Sequence, residues 1–250
     1  KYKSMPAYIS KVGESAGKMY GFVYEGTYKY EDFDTSVDDK GQTVYKLKAG
    51  IPYYTANTQP GDPKYKNMDD NLQINDADKV AIGNGQPKHT GGFTNNFTYK
   101  NFDLNIFMTW SYGNDILNAN RMIFENPSSK QNTNMFATYA NRWTESNPYS
   151  DMPRAKAQGA GEYSSLYVED GSFLKLKNIT LGYNFKPKTL HPLHISSARV
   201  YVSAENIATI SSYSGSDPEV STRNSVLTPG FDWSAYPRAF NLSLGLNVTF

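Results

Sequence analysis

The chain has 250 residues, 25 of them basic and 24 acidic, for a net charge of +1. This balance leaves no electrostatic footprint for nucleic acid, and the absence of cysteine excludes disulfide frameworks, thiolate metal sites and thiol catalysis. Only 38% of residues are hydrophobic, and no apolar run approaches the roughly 18 residues of a membrane-spanning helix, yet aromatics reach 14%.

The chain opens at Lys1 with neither an initiator Met nor a signal-like segment, as a mature chain, a trimmed chain or a fragment would. Residues 8–12 and 18–30 are candidate strands without a clear period. Phe93, Phe97 and Tyr99 then share a face, interrupted by Asn95. In 102–112 the alternation is strict: Phe102, Leu104, Ile106, Met108, Trp110 and Tyr112 face one way. Asp103, Asn105, Thr109, Ser111 and Gly113 face the other, with Phe107 the one large apolar exception. Ile179, Leu181, Tyr183 and Phe185 alternate with polar or small residues, as do Ala198, Val200, Val202 and Ala204. The clearest case is last: Phe240, Leu242, Leu244, Leu246, Val248 and Phe250 alternate with Asn241, Ser243, Gly245, Asn247 and Thr249.

Two architectures bury one face of such strands. A sandwich packs it on a second sheet and uses strands of about five or six residues. An outer-membrane barrel turns it to lipid and needs about 9–11 residues per strand. From Phe102 to Tyr112 the chain rises roughly 33 Å, which a tilt near 45° reduces to about 23 Å, close to the apolar band of such barrels. The barrel is therefore the expected fold: all-β, antiparallel and transmembrane, with long extracellular loops. The alternative is a soluble secreted β-sandwich that binds carbohydrate. A secreted glycosidase would need a close carboxylate pair, for which Glu162, Glu169 and Asp170 are available.

Lys100 and Asn101 alone separate Tyr99 from Phe102, a tight hairpin turn. Counting back from a periplasmic C-terminus puts that turn in the periplasm and segments 13–88, 114–171 and 208–236 outside. Five secure strands cannot close a barrel that requires at least about eight. A sheet open at both edges is not viable in lipid. The remaining strands must come from elsewhere.

A set of motifs carries a resemblance. Met19-Tyr-Gly-Phe-Val-Tyr-Glu-Gly, Val80-Ala-Ile-Gly-Asn-Gly-Gln-Pro-Lys-His-Thr-Gly-Gly-Phe and Tyr99-Lys-Asn-Phe-Asp-Leu come first. Ser111-Tyr-Gly-Asn-Asp-Ile, Phe173-Leu-Lys-Leu-Lys-Asn-Ile-Thr-Leu-Gly-Tyr and Arg199-Val-Tyr-Val-Ser-Ala-Glu-Asn follow. Asp217-Pro-Glu-Val and the terminal Gly245-Leu-Asn-Val-Thr-Phe complete the set. In order and spread over nearly the whole chain, they make it resemble the C-terminal part of the SusC/RagA family of TonB-dependent outer-membrane transporters of Bacteroidota. The resemblance implies that residues 1–250 are the C-terminal portion of a 22-stranded receptor barrel whose plug and N-terminal regions are outside this sequence. It implies a SusD-like surface lipoprotein as lid, TonB acting through the missing N-terminal region, and an oligosaccharide or peptide as cargo. The function it implies is import rather than catalysis, in the outer membrane of a Gram-negative bacterium.

Candidate site residues follow from both readings. Asp103, Asn105, Thr109, Arg199, Tyr201, Glu205 and Asn241 would face the lumen. Arg121, Tyr139, Arg142, Trp143, Tyr213, Asp217, Trp233 and Tyr236 are the outer-loop candidates for contact with cargo or lid; packing within the loops is the competing reading. Lys175 and Lys177 fall on the face that becomes lipid-facing below them, and are expected at its outer boundary. Asn67, Asp69, Asn71, Asn75 and Asp78 have the oxygen-ligand spacing of a calcium loop. Leu72 stands where the turn wants Gly and Asp78 where a bidentate Glu is usual, so an acidic solvated loop is the other reading, and no cofactor is required. His191 and His194 alone are weak metal ligands.

Overall fold

The computed structural model describes residues 7–126, 134–155, 157–223 and 225–250. Lys1, where the chain opens, and residues 127–133 of the long central segment lie outside the described residues. The chain divides into two compact units. Pro87–Asp115, Asp170–Val220 and Ala235–Phe250 form one, and Lys1–Gln86, Ile116–Glu169 and Ser221–Ser234 form the other.

The first unit is built on the five alternating segments. Strands β1 (His89–Tyr99), β2 (Phe102–Tyr112), β3 (Phe173–Asn184), β4 (Ser197–Ser211) and β5 (Asn241–Thr249) form one antiparallel sheet in chain order. The hairpin at Lys100 closes with that residue in the left-handed region, at φ 54°. Because side chains alternate, the register aligns whole rows across the sheet. Phe97, Leu104, Leu181, Val202 and Leu244 make one apolar row; Tyr99, Phe102, Tyr183, Val200 and Leu246 make the next. Trp110 and Leu174 with Ile210 extend this face toward the far end, where His89 stacks on Tyr112 with ring centroids 5.1 Å apart. A sandwich would bury these rows under a second sheet, yet Leu244 is 80% exposed and Phe97, Leu242 and Leu246 are exposed as well. Contiguous apolar surface of this extent is stable against hydrocarbon and not against water. The sandwich expectation is thereby set aside.

One expected facing changes. The register of β3 slips between Leu176 and Asn178 against both β2 and β4, and on β4 the irregularity falls at Asn206, at φ 53°. A bulge inserts an extra residue and so exchanges the faces beyond it. Leu174 and Leu176 therefore continue the apolar face opposite Trp110 and Met108, while Lys175 joins the polar face opposite Thr109. Lys175 does not mark an outer boundary of the apolar face; it is 2% exposed on the opposite side. The same bulge lets β4 run on to Ser211, past the end that its alternation predicts at 207.

The second unit is made of the three segments expected as outer loops, and they are folded rather than irregular. Strands Tyr8–Ile9, Lys18–Gly21 and Val80–Asn84 form a small antiparallel sheet. Tyr24–Thr27 pairs with Pro63–Tyr65, and Phe33–Val37 with Thr43–Leu47. Met19, Leu117, Met122, Tyr167 and Phe231, drawn from all three segments, are buried in one cluster. Phe22, Tyr65 and Ile74 make a second one, with Tyr24 and Tyr54 packed on it. Helix Ala119–Phe124 begins where Asn118 accepts from the Arg121 N–H. These strands are too short to show a period, so the sequence left them unclear.

The face assignment has a direct test. In the intact polypeptide held in detergent or bilayer, Leu244→Arg destabilises by about 2–4 kcal/mol in urea unfolding, as cationic side chains do in the apolar band of a barrel. Ser243→Arg, one residue away on the polar face, costs less; the reverse order would show the faces to be inverted.

Candidate functional site

The polar face of the sheet is a connected set of hydrogen bonds. Asn105 Nδ2 donates to Asn96 Oδ1 at 2.6 Å, Asn178 Nδ2 donates to Ser203 Oγ at 2.9 Å, and the Thr180 and Ser203 hydroxyls lie 2.8 Å apart. Nearer the Lys100 turn, Arg199 donates from Nε and Nη2 to the two Asp103 oxygens at 3.1 and 2.5 Å. The bridge crosses Gly182, where a Cβ would sit 2.4 Å from the Arg199 nitrogen and 2.6 Å from the carboxylate. Only glycine leaves room for that crossing. Arg199 also lies 5.0 Å from the Tyr201 ring, and Tyr201 in turn covers Gly245. Glu205 and Asn241 are paired in register and exposed, and Thr109 carries a buried hydroxyl without a partner. Every lumen candidate thus lies on one face.

At the other end of this face sits a cluster of five charges that the sequence revealed only in part. Lys175 Nζ donates to both Asp217 oxygens at 3.0 and 3.2 Å and to Glu219 at 3.2 Å. Lys177 reaches Glu219 at 3.0 Å, and Arg238 donates to Glu219 at 2.6 Å and lies 3.7 Å from Asp217. Burial alone would raise the Glu219 carboxyl, but hydrogen bonds from Lys177 and Lys175 and the Arg238 charge outweigh it, leaving its pKa below the ordinary value. Asp217 was a candidate from the sequence; Arg238 was missed. Lys-x-Lys on a strand and Asp-x-Glu downstream share an i, i+2 spacing, and that complementarity was the available signal.

The outer-loop candidates separate. Arg121 is held by Glu125 at 2.9 Å and by Glu169 at 3.1 Å, so its charge is spent inside the unit. Trp143 is buried against Gly61, beside the Tyr30 ring at 5.6 Å, and Tyr213 is buried over Gly215. These serve packing. Tyr139 stacks beneath the Arg142 guanidinium at 4.8 Å, in and beside a 3-10 turn over Ala137–Asn141. Tyr236 is 92% exposed, and Trp233 lines a cavity of about 420 Å³ with Phe231, Met122 and Arg223. Trp143 is buried, whereas Trp233 packs on the edge of the core and also lines the cavity.

In 67–78 the side-chain oxygens turn onto the local backbone. Asn67, Asp69 and Asn71 each accept from the N–H two residues on, Asn75 accepts from Ala77, and Asp78 accepts from Met68 and Asn75. Among the described residues no group of three or more His, Asp or Glu side chains converges as a metal site. Glu162 accepts from the Tyr54 hydroxyl, Glu169 from Arg121 and Asn118, and Asp170 from the Ser172 N–H. Each has its own structural partner.

Breaking the charge cluster discriminates its members. Lys175→Met removes the buried cation that bridges Asp217 and Glu219 and destabilises by up to about 3 kcal/mol in urea unfolding, whereas the more exposed Lys177→Met costs about 0–1 kcal/mol. Since the folded Glu219 pKa is depressed, its contribution is present above its unfolded pKa and is lost as pH falls through the folded one. Unfolding midpoints measured from neutral pH downward into that acid range fall more steeply for the parent than for Glu219→Gln.

No family model matches the chain. It is 32% identical over 247 residues to TonB-dependent receptor P3 of Formosa agariphila, covering 97% of this chain and 23% of that protein. It is 30% identical over 202 residues to TonB-dependent receptor SusC of Bacteroides thetaiotaomicron, covering 79% of this chain and 18% of that one. Among solved structures, the RagAB peptide importer in its open-open state matches with a TM-score of 0.68 and 22% identity over 93% of this chain and 22% of that chain. The RagAB peptide transporter matches with a TM-score of 0.63. The sheet is thus part of the β-barrel of a TonB-dependent receptor, and the chain spans about a quarter of the length of the first relatives. The chain belongs to the SusC/RagA family of TonB-dependent receptors.

Proposed function

We propose that the protein containing this chain is an outer-membrane importer of oligosaccharides or peptides, and that these residues supply part of its barrel wall and of its outer surface. One observation carries the reading: a sheet whose one face is apolar and exposed while the other is a ladder of amides, hydroxyls and a salt bridge. Such a wall separates hydrocarbon from a wet interior. Asp103, Asn105, Arg199, Tyr201, Glu205 and Asn241 line that interior and keep it hydrated. Tyr139, Arg142 and Trp233 of the second unit, and Tyr236 on the approach to β5, face cargo or a SusD-like lipoprotein lid. TonB supplies the energy through parts of the protein beyond these residues, and the further strands and plug complete the barrel. The action is binding and gating, with no bond made or broken in the cargo. Calcium at Asn67, Asp69, Asn71, Asn75 and Asp78 would require those oxygens to leave the backbone N–H groups that they now satisfy.

Uptake is the decisive measurement. Cells with and without the gene are supplied with a fluorescent oligosaccharide or a fluorescent oligopeptide, with and without a protonophore. Accumulation of one of the two is expected to need both the gene and the energised membrane. Accumulation of both probes unchanged by deletion would remove the import reading, as would recovery of the polypeptide in the detergent-free soluble fraction.

A further inference from the structure

The chain has six arginines, and their partners sort them. Arg121, Arg154, Arg199 and Arg238 each pair with a carboxylate. Among the described residues Arg142 and Arg223 do not, and Arg142 lies against Tyr139. Arg223 is different in setting. Its guanidinium sits 3.9 Å from the Phe231 ring centroid and 5.9 Å from that of Tyr8, and it forms part of the wall of the cavity of about 420 Å³. A guanidinium held over aromatic faces keeps its in-plane N–H fork directed outward, the geometry that accepts a carboxylate through two parallel hydrogen bonds.

Most of the rest of the cavity is apolar, with the Tyr163 and Thr222 hydroxyls the polar side-chain exceptions besides the Trp233 indole N–H. Ala119, Met122, Phe231 and Trp233 line it, together with Tyr163 and Thr222. The Thr222 hydroxyl is already committed: it donates to the Phe231 carbonyl at 2.8 Å and accepts from the Trp233 N–H at 3.3 Å. A cavity of this volume holds a small ligand fragment. One cation against an apolar wall with few spare hydrogen-bonding groups suits an apolar side chain beside a carboxylate. It suits a sugar poorly, because several hydroxyls would be buried without partners.

We infer that this cavity binds the C-terminal end of an apolar peptide, with Arg223 gripping the carboxylate and Met122, Phe231 and Trp233 receiving the last side chain. This rests on the import reading and narrows its cargo. The affinity is set by two separable parts, the fork and the apolar wall, so removing the ligand's charge and removing Arg223 should be the same loss counted once.

The test is calorimetric titration of the intact transporter, purified in detergent, with the tripeptide Ala-Ala-Leu, its C-terminal amide and a digalacturonate. The free acid is expected to bind at least tenfold more tightly than the amide. Arg223→Gln should bring the acid down to the level of the amide while leaving the amide unchanged, and Met122→Trp, which fills the cavity, should abolish both. The inference is overturned if neither peptide binds, if Arg223→Gln weakens acid and amide alike, if Met122→Trp leaves binding intact, or if digalacturonate binds in preference. Binding is read here without energised transport. A protein that binds the acid through Arg223 yet accumulates nothing in cells would sink the import reading alone.

Discussion

Backbone hydrogen bonding in hydrocarbon is the constraint on which the rest depends. Every N–H and C=O of a strand in lipid must find a partner on a neighbouring strand, because no water is present to supply one. Within the sheet, β2, β3 and β4 are paired on both sides, while β1 and β5 are each paired on one. Such a sheet persists in a membrane only when further strands continue it at both edges. The match to about a quarter of the relatives' length agrees with that requirement. Alternation then follows, since a continuous ladder has two faces and only one can meet lipid.

The bulge at Lys177 shows how a charge is admitted to such a wall. Without the slip, Lys175 would stand on the same face as Ile179 and Leu181, and an ammonium there would face hydrocarbon. With it, Lys175 turns to the polar side and meets Asp217 and Glu219. A buried ammonium is costly unless paired and hydrogen-bonded, and three donor contacts satisfy it. The cost of the irregular register is thereby tied to a specific electrostatic contact: the segment after β4 is fastened to the polar face of β3. Arg238, arriving from the approach to β5, adds a third cation to the two carboxylates.

Legibility in the sequence divides along the same line. The five long strands were readable to within a few residues because their period of two runs for about ten residues, long enough to outweigh exceptions such as Asn95 and Phe107. The face of Lys175 is marked only by a change of phase, Leu174 and Leu176 at even positions and Ile179 and Leu181 at odd ones, which extending the lower alternation upward overlooks. The second unit was hidden for a different reason. Its strands run two to five residues, and its core joins Met19, Leu117 and Phe231 across more than two hundred positions of sequence, so no local window contains the pattern. The same distance explains the loop aromatics. Trp143 and Trp233 look alike in sequence, and only the tertiary partners, Gly61 for one and the edge of a core and its cavity for the other, tell them apart.

That division has a functional logic. A barrel wall is governed by the register of whole strands, so a change at one row is felt along its hydrogen-bonded neighbours; a side chain at Gly182 would displace the Asp103–Arg199 bridge that crosses it. The second unit closes over cores of its own, and its cavity is bounded by one short helix, the strand Phe231–Asp232 and adjoining loop residues. Substitutions at Met122, Thr222 or Trp233 alter that cavity without entering the ladder of the sheet. Variation in what is recognised is therefore separable from the integrity of the wall, and an unpaired Arg223 can be kept, lost or moved with no consequence for strand pairing. A guanidinium over aromatic rings is partly desolvated already, so a carboxylate that pairs with Arg223 meets little further desolvation cost on the cation's side. A carboxylate arriving there meets a fork whose orientation has been fixed in advance, which is the condition under which a single charged contact discriminates strongly among otherwise similar ligands.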